Sequence, residues 1–299
     1  MLQTYDERNA GLIVNINGAL APRDEAGVSP FDSSVQNGDA VWEGLRLYDG
    51  RIFRLREHLA RLRRSARALA YASIPSDDAI IHEIARTLDA NSMRDGVHIR
   101  LTLSRGVKFT SGLDPRLNTN GHGLFVLAEF KPPVYDTAGI TLKTSTHRRP
   151  PSDVLDQTIH SCNQLTSILA KLEANASGAD DALMLDTRGF IAETNATHVF
   201  LVSDGVVCTP TTGACPEGIT RAAVLDLCTT HDIPHHVRDI TLAEAYRADE
   251  AFCTGTMGEI APIVSIDGRT IGDGGRGEVA AHLAALYRDL TAREGERVV

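Results

Sequence analysis

The sequence predicts two α/β domains with an α+β pattern of helices and strands, on three grounds. Its 299 residues, 42% of them hydrophobic, are enough for two ordinary cores. Strand-like and helix-like hydrophobic spacings alternate in both halves of the chain. Between the halves, the Lys-Pro-Pro run at 131–133 interrupts regular structure. We therefore assign residues 1–130 to a smaller N-terminal domain, 131–137 to a linker and 138–299 to a larger C-terminal domain.

The first half begins with sheet and continues with helix. Residues 13–19 alternate apolar and polar side chains into the Asn-Gly pair at 17–18, which tolerates positive φ angles and predicts a hairpin. Apolar residues in 55–69 recur at spacings of four, three, four and three, which predicts an amphipathic helix with Arg61 outside its apolar stripe. Residues 123–128 are typical of a strand.

The second half repeats this mixture. Apolar spacing over 165–176 predicts a helix that Gly178 ends as its C-cap. A strand is expected over 181–186, and two apolar runs within 199–208 predict a hairpin around an Asp-Gly turn. Residues 279–290 have the spacing of a final amphipathic helix.

Charge and composition exclude several classes of function. The chain has 30 Lys and Arg against 39 Asp and Glu, a net charge of −9, and no basic run, so we expect no nucleic-acid partner. There is no signal-peptide pattern, and no stretch reaches the roughly 20 apolar residues of a membrane helix. We therefore expect a cytoplasmic protein without membrane contact. The cysteines are odd in number and lack a Cys-x-x-Cys pair, which favours small core residues over disulfides or a zinc knuckle.

Two glycine-containing segments have the pattern of an anion cradle. Gly218 precedes a helical pattern, so the amides of Ile219 and Thr220 are expected at a helix N-terminus, where phosphate binds. The Thr-Gly-Thr run at 254–256 follows an apolar strand and offers a hydroxyl and further amides. Either segment alone is more typical of an ordinary connection between elements than of an anion site.

Together with other motifs, these segments make nearly the whole chain resemble the class IV aminotransferases. This family includes branched-chain and D-amino acid aminotransferases and has the pyridoxal phosphate (PLP) fold type IV. The matching segments, in the family's order and spacing, are 38–46, 56–62, 98–100, 192–194, 218–221, 248–250 and 254–256. The resemblance implies a homodimer with its active site in the cleft between the two domains.

The resemblance also assigns roles to residues that would hold the cofactor. It implies that Arg61, Ile219, Thr220 and Thr256 bind the phosphate of PLP or of pyridoxamine phosphate (PMP). It further implies that Glu193 pairs with the pyridine nitrogen. A carboxylate there favours the protonated ring, which makes the cofactor an electron sink.

Further residues are implied for the substrate. Arg100 and the amides of Met257 and Gly258 match the family's carboxylate-binding groups, and a guanidinium can grip a carboxylate with two hydrogen bonds. For Arg100, a structural ion pair is an equal alternative. His98 stands where the family has a tyrosine. Trp42 is implied to narrow the substrate pocket, with a core aromatic as the alternative.

The main departure from the family is His160, which stands where the family keeps its Schiff-base lysine. Imidazole cannot form that covalent bond, although it is a competent acid or base near neutral pH. Lys171 is expected on the same helix, about 16 Å further along its axis. Gln164 stands at a cofactor-contacting tyrosine and His198 at an asparagine.

Three functions are therefore open. The first is an atypical class IV aminotransferase-like enzyme for a small amino or keto acid, with non-covalent PLP or PMP and His160 as acid and base. The second is a PLP-independent lyase or hydrolase that uses His160, His98 and His198 in the same cleft. The third is a non-catalytic homologue. No His and Glu residues have recognisable ligand spacing, so no metal site is predicted.

Overall fold

The computed structural model describes residues 3–135 and 138–299. The helices are α1 (Ser33–Asn37), α2 (Leu55–Ala68), α3 (Asp77–Ala90), α4 (Leu165–Ser177), α5 (Ile219–Thr230), α6 (Leu242–Ala245) and α7 (Glu278–Arg293). The strands are β1 (Ile13–Ile16), β2 (Ala19–Pro22), β3 (Ala40–Tyr48), β4 (Arg51–Ile52), β5 (Val97–Ser104), β6 (Gly123–Phe130), β7 (Ile140–Arg148), β8 (Asp181–Leu185), β9 (Ile191–Thr194), β10 (His198–Ser203), β11 (Val206–Thr209), β12 (His235–Val237), β13 (Glu250–Gly255), β14 (Glu259–Ile266), β15 (Arg269–Thr270) and β16 (Glu296–Arg297). None of the helices in this described part has both the length and the hydropathy needed to cross a membrane.

The chain divides into two compact units. The N-terminal unit comprises Thr4–Pro132, Ile159–Asn163 and Thr291–Val299, and the C-terminal unit comprises Gln3, Pro133–Thr158 and Gln164–Leu290. The division after Pro132 falls within the predicted linker, of which residues 136 and 137 lie outside the described residues.

Two short segments from the second half of the chain, 159–163 and 291–299, belong to the N-terminal unit. The sequence-based assignment had placed both in the C-terminal domain. Cys162 donates its backbone N–H to the carbonyl of Ala40 at 2.8 Å, and β16 pairs with β4. Such pairings join residues more than a hundred positions apart, so the local hydrophobic pattern carries no sign of them.

In the N-terminal unit, the described strands form an antiparallel sheet in the order β16-β4-β3-β5-β6-β1-β2. Helix α2 packs against β3, and α3 packs against β1 and β6. The predicted hairpin is confirmed as β1 and β2, with Asn17 and Gly18 at φ 54° and 82° in the turn. The predicted helix over 55–69 is confirmed as α2, which ends at Ala68.

The prediction that Arg61 lies away from the apolar stripe of α2 is wrong. Its exposed fraction is only 7%. In the sequence, Arg61 falls between the apolar residues 59 and 62. On the side of α2 that faces the sheet, its guanidinium donates hydrogen bonds to the carboxylate of Glu43 on β3. A buried carboxylate therefore allows a guanidinium at the edge of an otherwise apolar face.

The register of β3 and β5 determines which side chains share a face of the sheet. Trp42 pairs with Thr102 and Arg46 pairs with His98, so these four side chains point to one face. Glu43 is the next residue along β3 after Trp42, so its side chain points to the opposite face, which α2 covers.

In the C-terminal unit, the described strands form a mixed sheet in the order β12-β11-β10-β13-β14-β7-β8-β9, and β15 pairs with β14. Helix α4 packs against β7 and β8, and α5 packs against β12 and β13. The predicted second-half elements are confirmed as α4, β8, the hairpin of β10 and β11, and α7. Gly178 caps α4 at φ 79°, as predicted.

The prediction that His160 and Lys171 share a helix is wrong. Helix α4 begins only at Leu165, and His160 belongs to the N-terminal unit. The side chain of Lys171 pairs with Asp181 at 2.6 Å.

Candidate active site

In the N-terminal unit, the fully buried carboxylate of Glu43 contacts several candidate site residues. Its two oxygens accept hydrogen bonds from Nε and Nη2 of Arg61 at 2.9 and 2.6 Å, a bidentate pair. Nδ1 of His58 lies 2.7 Å from the same carboxylate. Burial alone would raise the pKa of Glu43, but the charge of Arg61, followed by the interaction with the neighbouring His160, holds this pKa well below its usual value. Glu43 is therefore an anion.

His160 lies beside this pair in one defined tautomer. Its Nδ1 atom is 2.6 Å from the carbonyl oxygen of Trp42 and 3.5 Å from Oε1 of Glu43. A carbonyl only accepts hydrogen bonds, so Nδ1 carries the proton and Nε2 carries the lone pair. Among the described residues, Nε2 has no hydrogen-bond partner. The backbone N–H of His160 donates to Oγ of Ser65 at 3.0 Å, which fixes the segment in place.

The surroundings keep the His160 ring neutral. Burial, followed by the charge of Arg61, lowers its pKa below the ordinary value, against the opposing effect of Glu43. The side chain is 13% exposed. Near neutral pH, this arrangement supplies a proton acceptor at Nε2.

Trp42 and Arg100 pack around the histidine. The rings of Trp42 and His160 stack with centroids 4.4 Å apart, and Cζ of Arg100 lies 3.6 Å from the Trp42 ring centroid. Nη2 of Arg100 is 3.7 Å from Sγ of Cys162, and its Nε is 3.4 Å from Oγ1 of Thr102. The expectation of core cysteines holds for four of them, but Cys162 is only half-buried.

His98 lies in the same unit and is also neutral. Burial, followed by the charges of Lys131, Arg46 and Arg100, lowers its pKa to about 3. His198, the third member of the hypothesised trio, belongs to the C-terminal unit, so the convergence of the three stays a prediction.

In the C-terminal unit, Glu193 on β9 is held by a buried arginine. Nη2 of Arg149 lies 3.0 Å from Oε1 of Glu193, and Glu193 is 4% exposed. The same guanidinium donates to the carbonyl of Thr194 and to Oγ of Ser167. Sequence reasoning missed Arg149, because it lies 44 residues from Glu193 in a segment without a recognisable motif.

The N-terminus of α5 has the features of an anion site. Gly218 caps the helix without a side-chain hydrogen bond, which leaves the amides of the first turn available. A Cβ atom at Gly218 would lie 2.5 Å from Cε1 of His198, so only glycine fits there. Thr220 is 4% exposed and Ile219 is half-buried. These residues fit a cofactor phosphate.

The turn between β13 and β14 contains Thr256, Met257 and Gly258. The carbonyl of Met257 accepts a hydrogen bond from the backbone of Val134 at 3.0 Å. A Cβ atom at Gly258 would lie 2.4 Å from the ring of Tyr135, so this ring packs directly on the turn.

Two buried polar atoms near these segments lack hydrogen-bond partners within the described ranges. They are Oγ1 of Thr254, at the end of β13, and Nε of Arg149. Buried polar atoms are usually satisfied, so a bound polar ligand is one explanation for these exceptions.

No lysine belongs to the Glu43 cluster in the part of the chain that the structure describes. The sequence contains Lys108, Lys131, Lys143 and Lys171. Lys108 donates to Asn37, while Lys143 and Lys171 pair with aspartates of the C-terminal unit. The positive charge of Lys131 contributes to the lowered pKa of His98.

Comparisons with known proteins identify the family. The model of the family "Amino-transferase class IV" matches residues 40–266. The "Branched-chain-amino-acid aminotransferase-like protein 2" of Arabidopsis thaliana is 50% identical over 288 residues, which cover 96% of this chain and 52% of that protein. The "Putative branched-chain-amino-acid aminotransferase" of Methanocaldococcus jannaschii is 38% identical over 95% of this chain and 98% of its own length. The chain thus spans about half the length of the Arabidopsis relative.

Solved structures agree with this result. A T.th. branched-chain amino acid aminotransferase with pyridoxamine 5'-phosphate has a TM-score of 0.88 and 33% identity, with 95% of each chain covered. The Escherichia coli branched-chain amino acid aminotransferase also has a TM-score of 0.88, at 26% identity and 96% coverage of each chain. The predicted fold type IV is therefore confirmed, and the chain belongs to the class IV aminotransferase family.

Proposed function

We propose that this protein is an atypical class IV aminotransferase-like enzyme. In this proposal it acts on a small amino or keto acid, binds PLP or PMP without a covalent bond, and uses His160 as acid and base in place of the family's lysine. The observation that carries the proposal is the tautomer of His160. Its Nδ1 proton is directed to the carbonyl of Trp42, and its Nε2 lone pair remains available.

Most of the proposed cofactor contacts belong to the C-terminal unit. The amides of Ile219 and Thr220 at the uncapped start of α5 would hold the phosphate, together with Thr256. Glu193 would accept from the pyridine nitrogen. When bound, the cofactor supplies an electron sink for negative charge next to its ring. Arg61 already gives Nε and Nη2 to Glu43, so we assign the larger share of phosphate binding to the helix amides.

The proposed role of His160 is proton transfer. Nε2 would take a proton from the substrate Cα and deliver it to the cofactor carbon, while Nδ1 stays bonded to the carbonyl of Trp42. The carboxylate of Glu43, 3.5 Å away, stabilises the imidazolium that forms in between. Glu43 therefore acts as a positioning residue. Because no lysine is present to displace the bound amino acid from the cofactor by bonding to it, we expect slow turnover compared with ordinary transamination.

The proposed substrate contacts are Arg100 and the amides of Met257 and Gly258 for a carboxylate. His98 and Trp42 would lie beside the remainder of the substrate. The names of the relatives, branched-chain aminotransferases, support a small amino or keto acid. We also propose a homodimer in the cytoplasm, which light scattering and cell fractionation would test.

Restoring the lysine tests the proposal. Wild-type protein incubated with PLP and dialysed should keep near-visible absorbance that borohydride cannot fix to the chain. His160→Lys should form a borohydride-fixed adduct at position 160, detected by peptide mass spectrometry, and gain transaminase activity. The matched control His236→Lys, at an exposed position, should form none. If both the wild type and His160→Lys lose all PLP on dialysis, the proposal is wrong.

One observation favours a second candidate, a PLP-independent lyase or hydrolase. Arg61 and Glu193, which would contact the cofactor, already have internal partners in Glu43 and Arg149. Turnover by protein free of any pyridoxal species, abolished in His160→Ala, would support this candidate. If neither form turns over any substrate, the protein is a non-catalytic homologue.

A further inference from the structure

Three side chains with metal-binding atoms meet in the C-terminal unit. One potential ligand atom each from Glu193, His198 and Cys215 lies within 4.8 Å of the other two. Glu193 is 4% exposed, Cys215 is 1% exposed and His198 is half-buried. The set therefore differs from the solvated acidic groups that are common on protein surfaces.

We propose that Glu193, His198 and Cys215 form a binding site for a thiophilic divalent cation, with Zn²⁺ as the best match. Thiolate and imidazole ligands favour Zn²⁺ and its analogue Co²⁺ over Mg²⁺ and Ca²⁺, which prefer oxygen ligands. Three protein ligands leave a fourth position open for water, as in catalytic zinc sites.

The tautomer of His198 fits this role. Its Nε2 atom lies 2.8 Å from the carbonyl oxygen of Pro216, so Nε2 carries the proton and donates it. The lone pair is then on Nδ1. Histidine ligands commonly donate their other ring nitrogen to a carbonyl in this way, which fixes the orientation of the ring.

The carboxylate ligand also has an outer partner. Arg149 donates to Oε1 of Glu193 at 3.0 Å, and ligating carboxylates are usually hydrogen-bonded in this manner. The charges of Arg149 and Arg221 oppose a cation. The negative charges of the Glu193 carboxylate and of the thiolate that forms when Cys215 binds the metal offset these two positive charges. Nη2 of Arg221 already donates a hydrogen bond to the carbonyl of Pro210.

To bind one Zn²⁺ ion, the three ligand atoms have to move only slightly closer to one another. Ligand atoms at 2.0–2.3 Å from a tetrahedral Zn²⁺ stand roughly 3.3–3.7 Å from one another. Each pair therefore has to close by at most about 1.5 Å. Rotations of the glutamate and cysteine side chains are the movements that would close these distances.

The proposal does not depend on the proposed function, although both use Glu193. A metal ion at this carboxylate and a pyridine nitrogen would compete for it. Sequence spacing did not indicate the site, because Cys215 lies in the segment between β11 and α5, far along the chain from Glu193.

Cobalt spectroscopy tests the proposal directly. Protein stripped with EDTA and kept reduced is titrated with Co²⁺ in the absence of PLP. We expect one equivalent to produce a near-ultraviolet thiolate-to-cobalt band, which Zn²⁺ then removes. Cys215→Ser should abolish the band, and His198→Asn should weaken Zn²⁺ binding by about 10–100-fold or more. Cys228→Ser, at another buried cysteine of the same unit, should leave both unchanged.

The result that overturns the proposal is equally specific. Wild-type protein without the thiolate band at saturating Co²⁺, or a band that persists in Cys215→Ser, excludes this site. Circular dichroism checks that each variant is folded. If Cys215→Ser does not fold, His198→Asn decides, and unchanged Zn²⁺ affinity in this variant rejects the proposal. Retention of PLP after dialysis is measured separately, so failure of the proposed function is distinguishable.

Discussion

Nδ1 of His160 lies 2.6 Å from the carbonyl oxygen of Trp42, and the rings of the same two residues stack at 4.4 Å. The backbone of Trp42 thus selects the tautomer of His160, while its side chain covers the ring. Because Trp42 is the single tryptophan of the chain, it is also an optical reporter on the histidine.

The fluorescence of Trp42 should therefore titrate with His160. Protonated imidazole quenches indole more strongly than neutral imidazole, so we expect fluorescence to fall as pH decreases. The midpoint should lie below the ordinary histidine value of about 6.5, because burial and the charge of Arg61 lower this pKa. His160→Gln should remove the transition. The same midpoint in this variant would show that another group is responsible.

Replacing Glu43 should destabilise the N-terminal unit strongly. Glu43→Gln removes the charge from the buried bidentate pair and leaves the guanidinium of Arg61 without its counter-ion. Breaking such a pair costs about 3–5 kcal/mol of the free energy of unfolding, measured by urea denaturation. The control Glu57→Gln, exposed in the first turn of α2, should change stability by less than about 0.5 kcal/mol. Equal effects of the two variants would contradict the prediction.

Stability should depend on pH through His98. The unfolded histidine binds its proton below about pH 6.5. The folded one binds it only near pH 3, because of burial and the charges of Lys131, Arg46 and Arg100. Between these values the unfolded state binds more protons, so stability rises with pH and is lost as pH falls from about 6.5.

The His98→Asn variant isolates this contribution. It should reduce the slope of unfolding free energy against pH by up to about 1.4 kcal/mol per pH unit over that window. Urea denaturation at several pH values measures the slope. His236→Asn changes an exposed side chain and should leave the slope as in the wild type. An unchanged slope in His98→Asn would refute the assignment.

Gly218→Ala should damage the start of α5. The added Cβ would lie 2.5 Å from Cε1 of His198, so the ring or the helix must move. We expect a loss of about 1–3 kcal/mol in unfolding free energy, as for other overpacked sites. Weaker retention of PLP after dialysis should accompany it. Gly213→Ala, with open space around the new Cβ, should have neither effect.

Local patterns in the sequence were sufficient for much of the fold. The hairpin at Asn17 and Gly18, helix α2 and helix α4 with its Gly178 cap follow from residue spacing and backbone preference, which act between near neighbours. The order of motifs was sufficient for the family, which the comparisons confirm. These features need no knowledge of long-range contacts.

The tertiary structure alone decided the surroundings of the site residues. It joined His160 to β3 of the N-terminal unit, where the helical pattern had suggested a continuation of α4. It buried Arg61 against Glu43 and brought Glu193 near Cys215. These partners are separated by between 18 and 118 residues. Hydrophobic periodicity records only which face of an element is buried, so the partner of a polar group on that face emerges only when the elements pack.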